Sequence, residues 1–149
     1  MLSVINIENK LCIELKINHC HLYILLYNEI VKSYIIKIYS LNGILVGESD
    51  YCLINNFDVD RDGNILIGYF KEHKIDIFNP SIKKKINEIK IDINPFIDSS
   101  DNFNKINTIN NNSEEIPIFQ SFYYQPINNS VYCSFSNGYL IKKYIGSEK

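Results

Sequence analysis

An acidic segment in the middle of the chain holds the residues whose types and spacing point most directly to chemistry. Residues 58–65 read Asp-Val-Asp-Arg-Asp-Gly-Asn-Ile, with carboxylates at the first, third and fifth positions and a glycine at the sixth. This spacing is typical of an EF-hand calcium loop, in which oxygen atoms of the loop coordinate the ion. The segment is therefore the first candidate for a metal site.

Two positions of this segment lack the acidic residue that a calcium-binding loop carries. The twelfth position, which carries a bidentate glutamate in an EF-hand loop, is Tyr69. The ninth, where the Asp-rich loop of integrin-type propellers has a further acid, is Leu66. Too few oxygen ligands remain for an ion that takes about six to eight. We therefore predict no metal at Asp58, Asp60 and Asp62, and a hairpin turn in which Gly63 adopts a positive φ.

Histidine and cysteine form a second candidate cluster at His19, Cys20 and His21. The two histidines would share one face of a strand and could begin a zinc site, but no further Cys or His pair follows at ligand spacing. We therefore predict a polar turn between strands. His73, beside Glu72, is predicted to be a solvated loop residue.

The remaining residues show no known catalytic pattern. The sequence contains no glycine-rich phosphate loop, no Gly-x-Ser-x-Gly and no His-Glu-x-x-His. We therefore predict a protein that is not an enzyme, with no catalytic, cofactor-binding or metal-binding residue and no cofactor. The cysteines are scattered without a Cys-x-x-Cys pair, which predicts reduced, packed thiols in a cytosolic protein; they are Cys12, Cys20, Cys52 and Cys133.

Charge and hydropathy exclude several classes of partner. The 149 residues carry a net charge of −2, and Arg61 is the single arginine, so the chain lacks the basic surface that nucleic acid requires. No apolar run approaches the roughly 20 residues of a membrane-spanning helix, and the N-terminus has no secretory signal pattern. Lys83–Lys85 could contact anionic lipid, although a solvated sheet edge is the simpler interpretation. We expect a cytoplasmic protein, with peripheral membrane association as an alternative.

Strand patterns dominate the chain that must position these residues. There are 28 Ile and 11 Tyr but no Ala, a composition that favours strands over helices. Short apolar or alternating runs are separated by turn residues such as Asn42-Gly43 and Asn137-Gly138. The predicted strands are Leu11–Ile17, Leu22–Tyr27, Tyr34–Tyr39, Ile54–Val59, Ile65–Phe70, Lys74–Phe78, Lys84–Ile91 with Ile89–Ile93, Ile118–Tyr124, Val131–Phe135 and Tyr139–Ile145.

Three segments repeat the same unit of paired strands. From Tyr39 to Phe78 is 39 positions, and from Phe78 to Tyr144 is 44 once the 22 residues 94–115 are left out. A period of about 40–45 residues is that of a four-stranded propeller blade of the WD-repeat kind. We predict an all-β chain: a partial β-propeller of about three four-stranded antiparallel blades, at about 9–50, 51–93 and 116–146. Residues 94–115 are predicted to be an Asn-rich disordered insertion.

The predicted blades are fewer than a ring needs. Propellers have about four to eight blades, and each blade is stabilised by stacking on its neighbours. We therefore expect the chain to be a piece of a larger propeller or to pair with another copy. Expressed alone, it is expected to self-associate.

The hairpin at residues 38–45, Ile-Tyr-Ser-Leu-Asn-Gly-Ile-Leu, resembles one in the C-terminal propeller of BEACH-domain (neurobeachin-like) proteins. There, too, a blade with an Asp-Gly turn follows, as in residues 62–68, and then a final blade, as in residues 134–141. The resemblance covers about 34–145 without the insertion. It implies a WD-repeat scaffold in vesicle traffic or membrane-associated assembly, with protein partners on the propeller faces. Residues 58–80 taken alone also resemble an NHL repeat.

Two functions of different classes follow from these patterns. The leading hypothesis is a non-catalytic protein-interaction scaffold. The alternative is a fragment of an NHL-like or other propeller enzyme or ligand-binding module, with a metal held by acids in the channel. The alternative requires acidic, amide or histidine side chains from several blades to meet at one place, whereas the scaffold does not.

Overall fold

Antiparallel strands account for all the regular structure in the part of the chain that the computed structural model describes, residues 4–18, 20–51, 56–81, 83–92 and 117–145. They form three sheets, and no helix occurs within those ranges. The first sheet contains β1 (Lys10–Asn18), β2 (His21–Asn28), β3 (Ser33–Ser40) and β4 (Leu45–Tyr51). The second contains β5 (Asn56–Val59), β6 (Ile65–Tyr69), β7 (Lys74–Asn79) and β8 (Lys84–Lys90). The third contains β9 (Phe119–Gln125), β10 (Ser130–Phe135) and β11 (Leu140–Tyr144).

The prediction of an all-β chain is confirmed, and each sheet is built from strands in chain order. The one described strand that the sequence pattern missed is β4, which pairs with β3 along the edge of the first sheet. Its sequence, Leu-Val-Gly-Glu-Ser-Asp-Tyr, lacks the alternation of the other strands. Hydrogen bonding to β3 makes this segment a strand in spite of its composition, because strand propensity depends strongly on context.

Three hairpins use the same glycine turn. In the β5–β6 turn, the Gly63 N–H donates to the Asp60 carbonyl over 3.1 Å, and Gly63 has the predicted positive φ, at 84°. The β3–β4 and β10–β11 turns repeat this hydrogen bond and this conformation at Gly43 and Gly138. Glycine occupies these positions because residues with a Cβ rarely adopt that region.

The second sheet lies between the other two, and both of its faces are buried. Phe57 and Ile67 pack with residues of the first sheet, whereas Leu66 and Ile75 pack with residues of the third. Since successive side chains of a strand point to opposite faces, β6 is buried at every position of its Ile-Leu-Ile run. A strand covered on both faces reads as a continuous apolar run for this reason.

The first strands of the three sheets lie side by side. The central one, β5, contacts β1 of the first sheet and β9 of the third. The remaining strands of each sheet follow outward in chain order, which leaves β4 and β8 at outer edges.

The third sheet corrects the prediction of four strands in every unit. Within the described residues it has three, because the predicted range 116–146 is used up by three strands and two turns. The insertion predicted at 94–115 lies outside the described residues.

Two strand glycines provide a test of the packing between the second and third sheets. A Cβ on Gly68 of β6 would lie 2.9 Å from ring atoms of both Phe122 and Phe70. We expect Gly68→Ala to lower the free energy of unfolding by about 1–3 kcal/mol, the usual cost of overpacking. Urea denaturation measures this loss.

Gly47 of β4 is the matched control, because its Cβ would lie 3.7 Å from the Ile38 side chain, an ordinary contact. Gly47→Ala is expected to change the free energy of unfolding by less than about 0.5 kcal/mol. Equal losses in the two variants would contradict this packing of the second sheet on the third.

Candidate functional site

The acidic segment forms the tight turn between β5 and β6, and the Asp60 carboxylate lies inside that turn. Asp60 is 5% exposed. Its Oδ1 accepts hydrogen bonds from the backbone N–H groups of Asp62, over 2.9 Å, and of Asn64, over 2.8 Å. Its Oδ2 accepts from the Asn64 side-chain amide over 3.0 Å. The carboxylate therefore stabilises its own turn.

The Asp58 side chain points toward the third sheet, whereas its neighbours Phe57 and Val59 point toward the first, as alternation predicts. Asp58 is hydrogen bonded to β9. Its Oδ2 accepts from the backbone N–H of Tyr124 over 3.0 Å, and its Oδ1 accepts from the N–H of Val59 over 2.8 Å. Two residues earlier on the same face, Asn56 Oδ1 accepts from the N–H of Phe122 over 3.3 Å. These two side chains join the innermost strands of the second and third sheets.

The same turn also binds the first sheet. The Asn18 side-chain amide donates to the Asp60 carbonyl over 3.1 Å, and the Tyr23 hydroxyl donates to the Gly63 carbonyl over 3.1 Å. Burial, and to a lesser extent the Asp60 charge, raises the pKa of Tyr23 above its ordinary value. The phenol therefore stays protonated and keeps its donor at neutral pH.

On the other side, the turn binds the third sheet through Tyr124. The Arg61 backbone N–H donates to the Tyr124 hydroxyl over 3.2 Å, and that hydroxyl donates to Asn129 Oδ1 over 2.8 Å. The Asn129 amide in turn donates to the carbonyl of Ile145 over 2.9 Å. Burial raises the pKa of Tyr124 above its ordinary value, which keeps this donor in place.

The turn is thus a contact point of all three sheets, which we call the sheet junction and define as residues 58–64. Sequence reasoning identified the acids and the glycine but missed Asn18, Tyr23 and Tyr124. No sequence motif marks those three residues, because their partners lie 40 to 63 positions away along the chain. Across the described ranges, no three His, Cys, Asp or Glu side chains come together as ligands for a metal ion. That no metal binds here stays a prediction.

The histidines are not brought together in a described site. His19 lies outside the described residues, and His21 starts β2 beside the Tyr23 ring, with the ring centroids 6.5 Å apart. The prediction that His73 is solvated holds only in part, since the residue is half-buried and its Nε2 is buried with no hydrogen-bond partner among the described residues. His73 turns the chain with a positive φ of 50°, and its carbonyl accepts from the N–H of Ile91 over 2.8 Å.

The cysteines divide into two kinds. Cys133 is fully buried on β10, and burial raises the pKa of its thiol to about 12. Cys12 and Cys20 are exposed, so the prediction of packed thiols is wrong for these two. The reason for Cys12 is its place on β1, on the face of the first sheet that no other sheet covers. Cys52 lies outside the described residues.

The lysines at residues 83–85 lie at the exposed start of β8, as an edge strand predicts. Lys85 Nζ lies 2.9 Å from Glu88 Oε1 and 3.2 Å from Asp76 Oδ1. Hydrogen bonds from Lys85 and Lys74 lower the pKa of Glu88. One of the three lysines is therefore engaged within its own sheet, and contact with lipid stays a hypothesis. No helix of the described residues has the length and hydropathy to cross a membrane.

The outermost faces of the stack are the second notable surface. We call the side of each sheet that points to the next sheet in chain order its front face, and the other side its rear face. The rear face of the first sheet and the front face of the third have no sheet packed on them in the described part of the chain.

Equivalent positions show what the free rear face lacks. The first strand of each sheet carries two side chains at equivalent positions of its rear face. They are Leu15 and Ile17 on β1, Phe57 and Val59 on β5, and Phe122 and Tyr124 on β9. In the second and third sheets these side chains are 0% to 9% exposed. In the first sheet Leu15 is 55% exposed and Ile17 is 76% exposed. The N-terminal residues Ile5 and Ile7 pack on the rest of this face, where Ile24, Leu26 and Tyr39 of β2 and β3 are 0% to 6% exposed.

The free front face of the third sheet is aromatic and bears a cation. Tyr123 is 60% exposed, Tyr144 62% and Leu140 68%. The Lys142 ammonium lies 4.6 Å from the centroid of the Tyr144 ring and 5.7 Å from that of Tyr132, which are cation–π contacts. Apolar area and a charge are thus combined on one surface.

Comparison with known proteins supports the fold and adds no function. No protein-family model matches the sequence, and no curated protein matches it. Among solved structures, the chain is similar to the crystal structure of a protein of unknown function from Bacteroides caccae, with a TM-score of 0.51 and 9% sequence identity. The match covers 87% of this chain and 40% of that one, so the chain spans less than half the length of that protein.

The sheet junction makes a prediction about stability. Asp60→Ala removes the acceptor of three hydrogen bonds and leaves buried donors without a partner, so we expect it to lower the free energy of unfolding by about 1–3 kcal/mol. Asp62→Ala is the control, since Asp62 is exposed, and its change is expected to stay within about 0.5 kcal/mol. Urea denaturation of both variants measures the difference, and equal stability would contradict the role of Asp60.

The same geometry bears on calcium. Because N–H groups occupy the carboxylates of Asp58 and Asp60, we expect micromolar calcium to produce no binding heat in isothermal titration calorimetry. Binding that is lost in Asp60→Ala would show this prediction to be wrong.

Proposed function

We propose that this chain is part of a β-propeller and acts as a non-catalytic protein-interaction scaffold. The observation that carries the proposal is the exposure of Leu15 and Ile17, at positions that the second and third sheets bury completely or nearly so. The β1 part of this rear face therefore offers apolar surface to another protein surface.

Three features support the propeller. The sheets stack face to face in chain order, their first strands lie side by side, and the strand units recur at about 40–45 residues. Blades in a propeller meet their neighbours through such faces, and a ring has about four to eight of them. The three sheets of the described residues are therefore fewer than a ring contains.

Energetics favour association over exposure. Full burial of a leucine or isoleucine side chain is worth about 1.5–3 kcal/mol. Because Leu15 is 55% exposed and Ile17 76% exposed, covering them contributes about 2–4 kcal/mol, from which the cost of association is subtracted. Large apolar patches left in water are also uncommon on proteins that act alone. A scaffold that presents its faces to partners accounts for both features.

We further propose that the larger protein is of the BEACH type and serves vesicle traffic or membrane-associated assembly in the cytoplasm. This part rests on the resemblance of residues 38–45 and of the hairpins that follow. Sequencing the gene upstream of Met1 tests it. An open reading frame that encodes a BEACH domain would support it, and an upstream frame that encodes an unrelated domain would contradict it.

The scaffold proposal is tested with the tagged full chain as bait in an extract of its source cells. We expect near-stoichiometric retention of a polypeptide, either further copies of the chain or another protein, because Leu15 and Ile17 on the rear face are left exposed. Ile17→Asp is expected to abolish this retention, since a carboxylate cannot be buried there without a partner. Ile127→Asp is the control, because Ile127 is 83% exposed in the β9–β10 turn, outside both free faces.

The result that would contradict the proposal is equally specific. Retention of no polypeptide by the unaltered chain, or equal retention by the unaltered chain and Ile17→Asp, would show that the rear face is not an interaction surface. Circular dichroism of both variants confirms that each keeps its strand content.

A further inference from the structure

We propose that the front face of the third sheet binds a protein surface on which a carboxylate lies among apolar side chains, and that Lys142 receives this carboxylate. The inference rests on the proposed scaffold function and names the chemistry of one partner. The side chains that form the site lie on one face of β9, β10 and β11 by register. We call them the aromatic face: Tyr123, Tyr132, Leu140, Lys142 and Tyr144.

Leu140 shows that the aromatic face lacks a cover. Counting along the paired strands from the equivalent positions given above, Leu140 corresponds to Ile36 of the first sheet and Ile75 of the second. Ile36 and Ile75 are both 0% exposed, because each packs in the core between its sheet and the next. Leu140 is 68% exposed. The aromatic face thus presents an apolar side chain at a place that the other two sheets bury.

Lys142 determines which kind of surface can cover this face. The same counting places Lys142 where the first two sheets have Ile38 and Ile77, which are 4% and 2% exposed. A surface that packs here as the sheets pack on one another must therefore accept a cation in place of an isoleucine. A charge that is removed from water is costly unless it is paired. The covering surface consequently has to bring an anion, which a sheet with apolar side chains throughout would not.

The third sheet supplies no acid of its own for this cation. Residues 117–145 contain two lysines but no Asp or Glu, although the whole chain has 17 acidic residues. Among the residues that the structure describes, no carboxylate forms an ion pair with Lys142. In the second sheet, by contrast, Lys74 and Lys85 are each paired with acids of the same sheet. The anion for Lys142 is thus left for a partner to provide.

Two tyrosine rings hold the Lys142 ammonium in place for such a contact. Its Nζ lies 4.6 Å from the centroid of the Tyr144 ring and 5.7 Å from that of Tyr132. The ring faces attract the cation without neutralising its charge. A side chain held in this way loses less conformational freedom on binding. The exposed rings of Tyr123 and Tyr144 add apolar area of the residue type that is enriched in interface hot spots.

A protein carboxylate matches this face better than a chain or layer of phosphates does. Nucleic acids and anionic membranes present many negative charges and are bound by several cations together. The aromatic face has one cation, surrounded by tyrosine and leucine side chains. Its electrostatic complement is a single carboxylate within an apolar surround, as a protein surface provides.

Panning of short random peptides, displayed on phage, against the immobilised full chain tests the proposal. We expect the selected peptides to combine Asp or Glu with apolar residues, and their binding in fluorescence anisotropy to weaken as salt is raised. Lys142→Glu and Leu140→Ser should each raise the dissociation constant at least about tenfold. Lys84→Glu is the control, because Lys84 is an exposed lysine of β8 that lies outside the aromatic face.

Two further measurements separate the charge from the packing. Lys142→Met keeps an unbranched apolar side chain but removes the charge, so it should bind a selected peptide and its Asn or Gln analogue equally. Panning against Lys142→Glu should select peptides that carry Lys or Arg. Leu140 and Lys142 are both exposed, so none of these changes disturbs the core. Circular dichroism checks that every variant keeps its strand content.

Several results would overturn the inference. They are failure to select any peptide, selection of peptides without acidic residues, equal binding by the Lys142→Glu and Lys84→Glu variants, or binding of poly-dT or phosphatidylserine vesicles that depends on Lys142. Retention of a protein through Ile17 in the cell extract does not involve this face and would leave the proposed function intact. Absence of both the peptide binding and that retention would overturn the two proposals together.

Discussion

The Asp60 carboxylate holds the turn on which the stacking of the sheets depends. It binds two backbone N–H groups and one side-chain amide within its own turn, so that the turn presents a carbonyl to Asn18 and an N–H to Tyr124. One short segment is thereby hydrogen bonded to both neighbouring sheets. Each bond contributes only about 0.5–1.5 kcal/mol, but together they set where the sheets meet.

Apolar burial supplies the larger share of the stability once that position is set. Another sheet packs on both faces of the second sheet, and on one face of each of its neighbours. The difference in exposure between Ile17 and Val59, which hold the same place in their sheets, follows from this arrangement alone. Chemically similar side chains at equivalent positions are core in one sheet and surface in the next because only one of them has a neighbouring sheet.

The acidic segment illustrates how a ligand-like pattern serves structure. Carboxylates spaced for calcium in sequence have N–H groups as their partners in the fold, from the turn itself for Asp60 and from β9 for Asp58. A calcium loop would need acids at Leu66 and Tyr69, but both residues lie on β6. Leu66 is part of the core between the second and third sheets. The residues that would complete a calcium loop are thus committed to packing.

Much of the local structure was determined by the sequence itself. Alternation and apolar runs identified ten of the eleven described strands, and Gly63 identified its turn, because strand pairing and positive φ depend on residues close together along the chain. The sequence pattern did not predict β4, because pairing with β3, and not composition, makes this segment a strand. The exposure of Cys12 could not be predicted, because it depends on which face of the first sheet another sheet covers. The sheet junction and the free faces were decided by the tertiary structure alone, since contacts such as that of Tyr124 with Arg61 join residues 63 positions apart, a separation that no local pattern encodes.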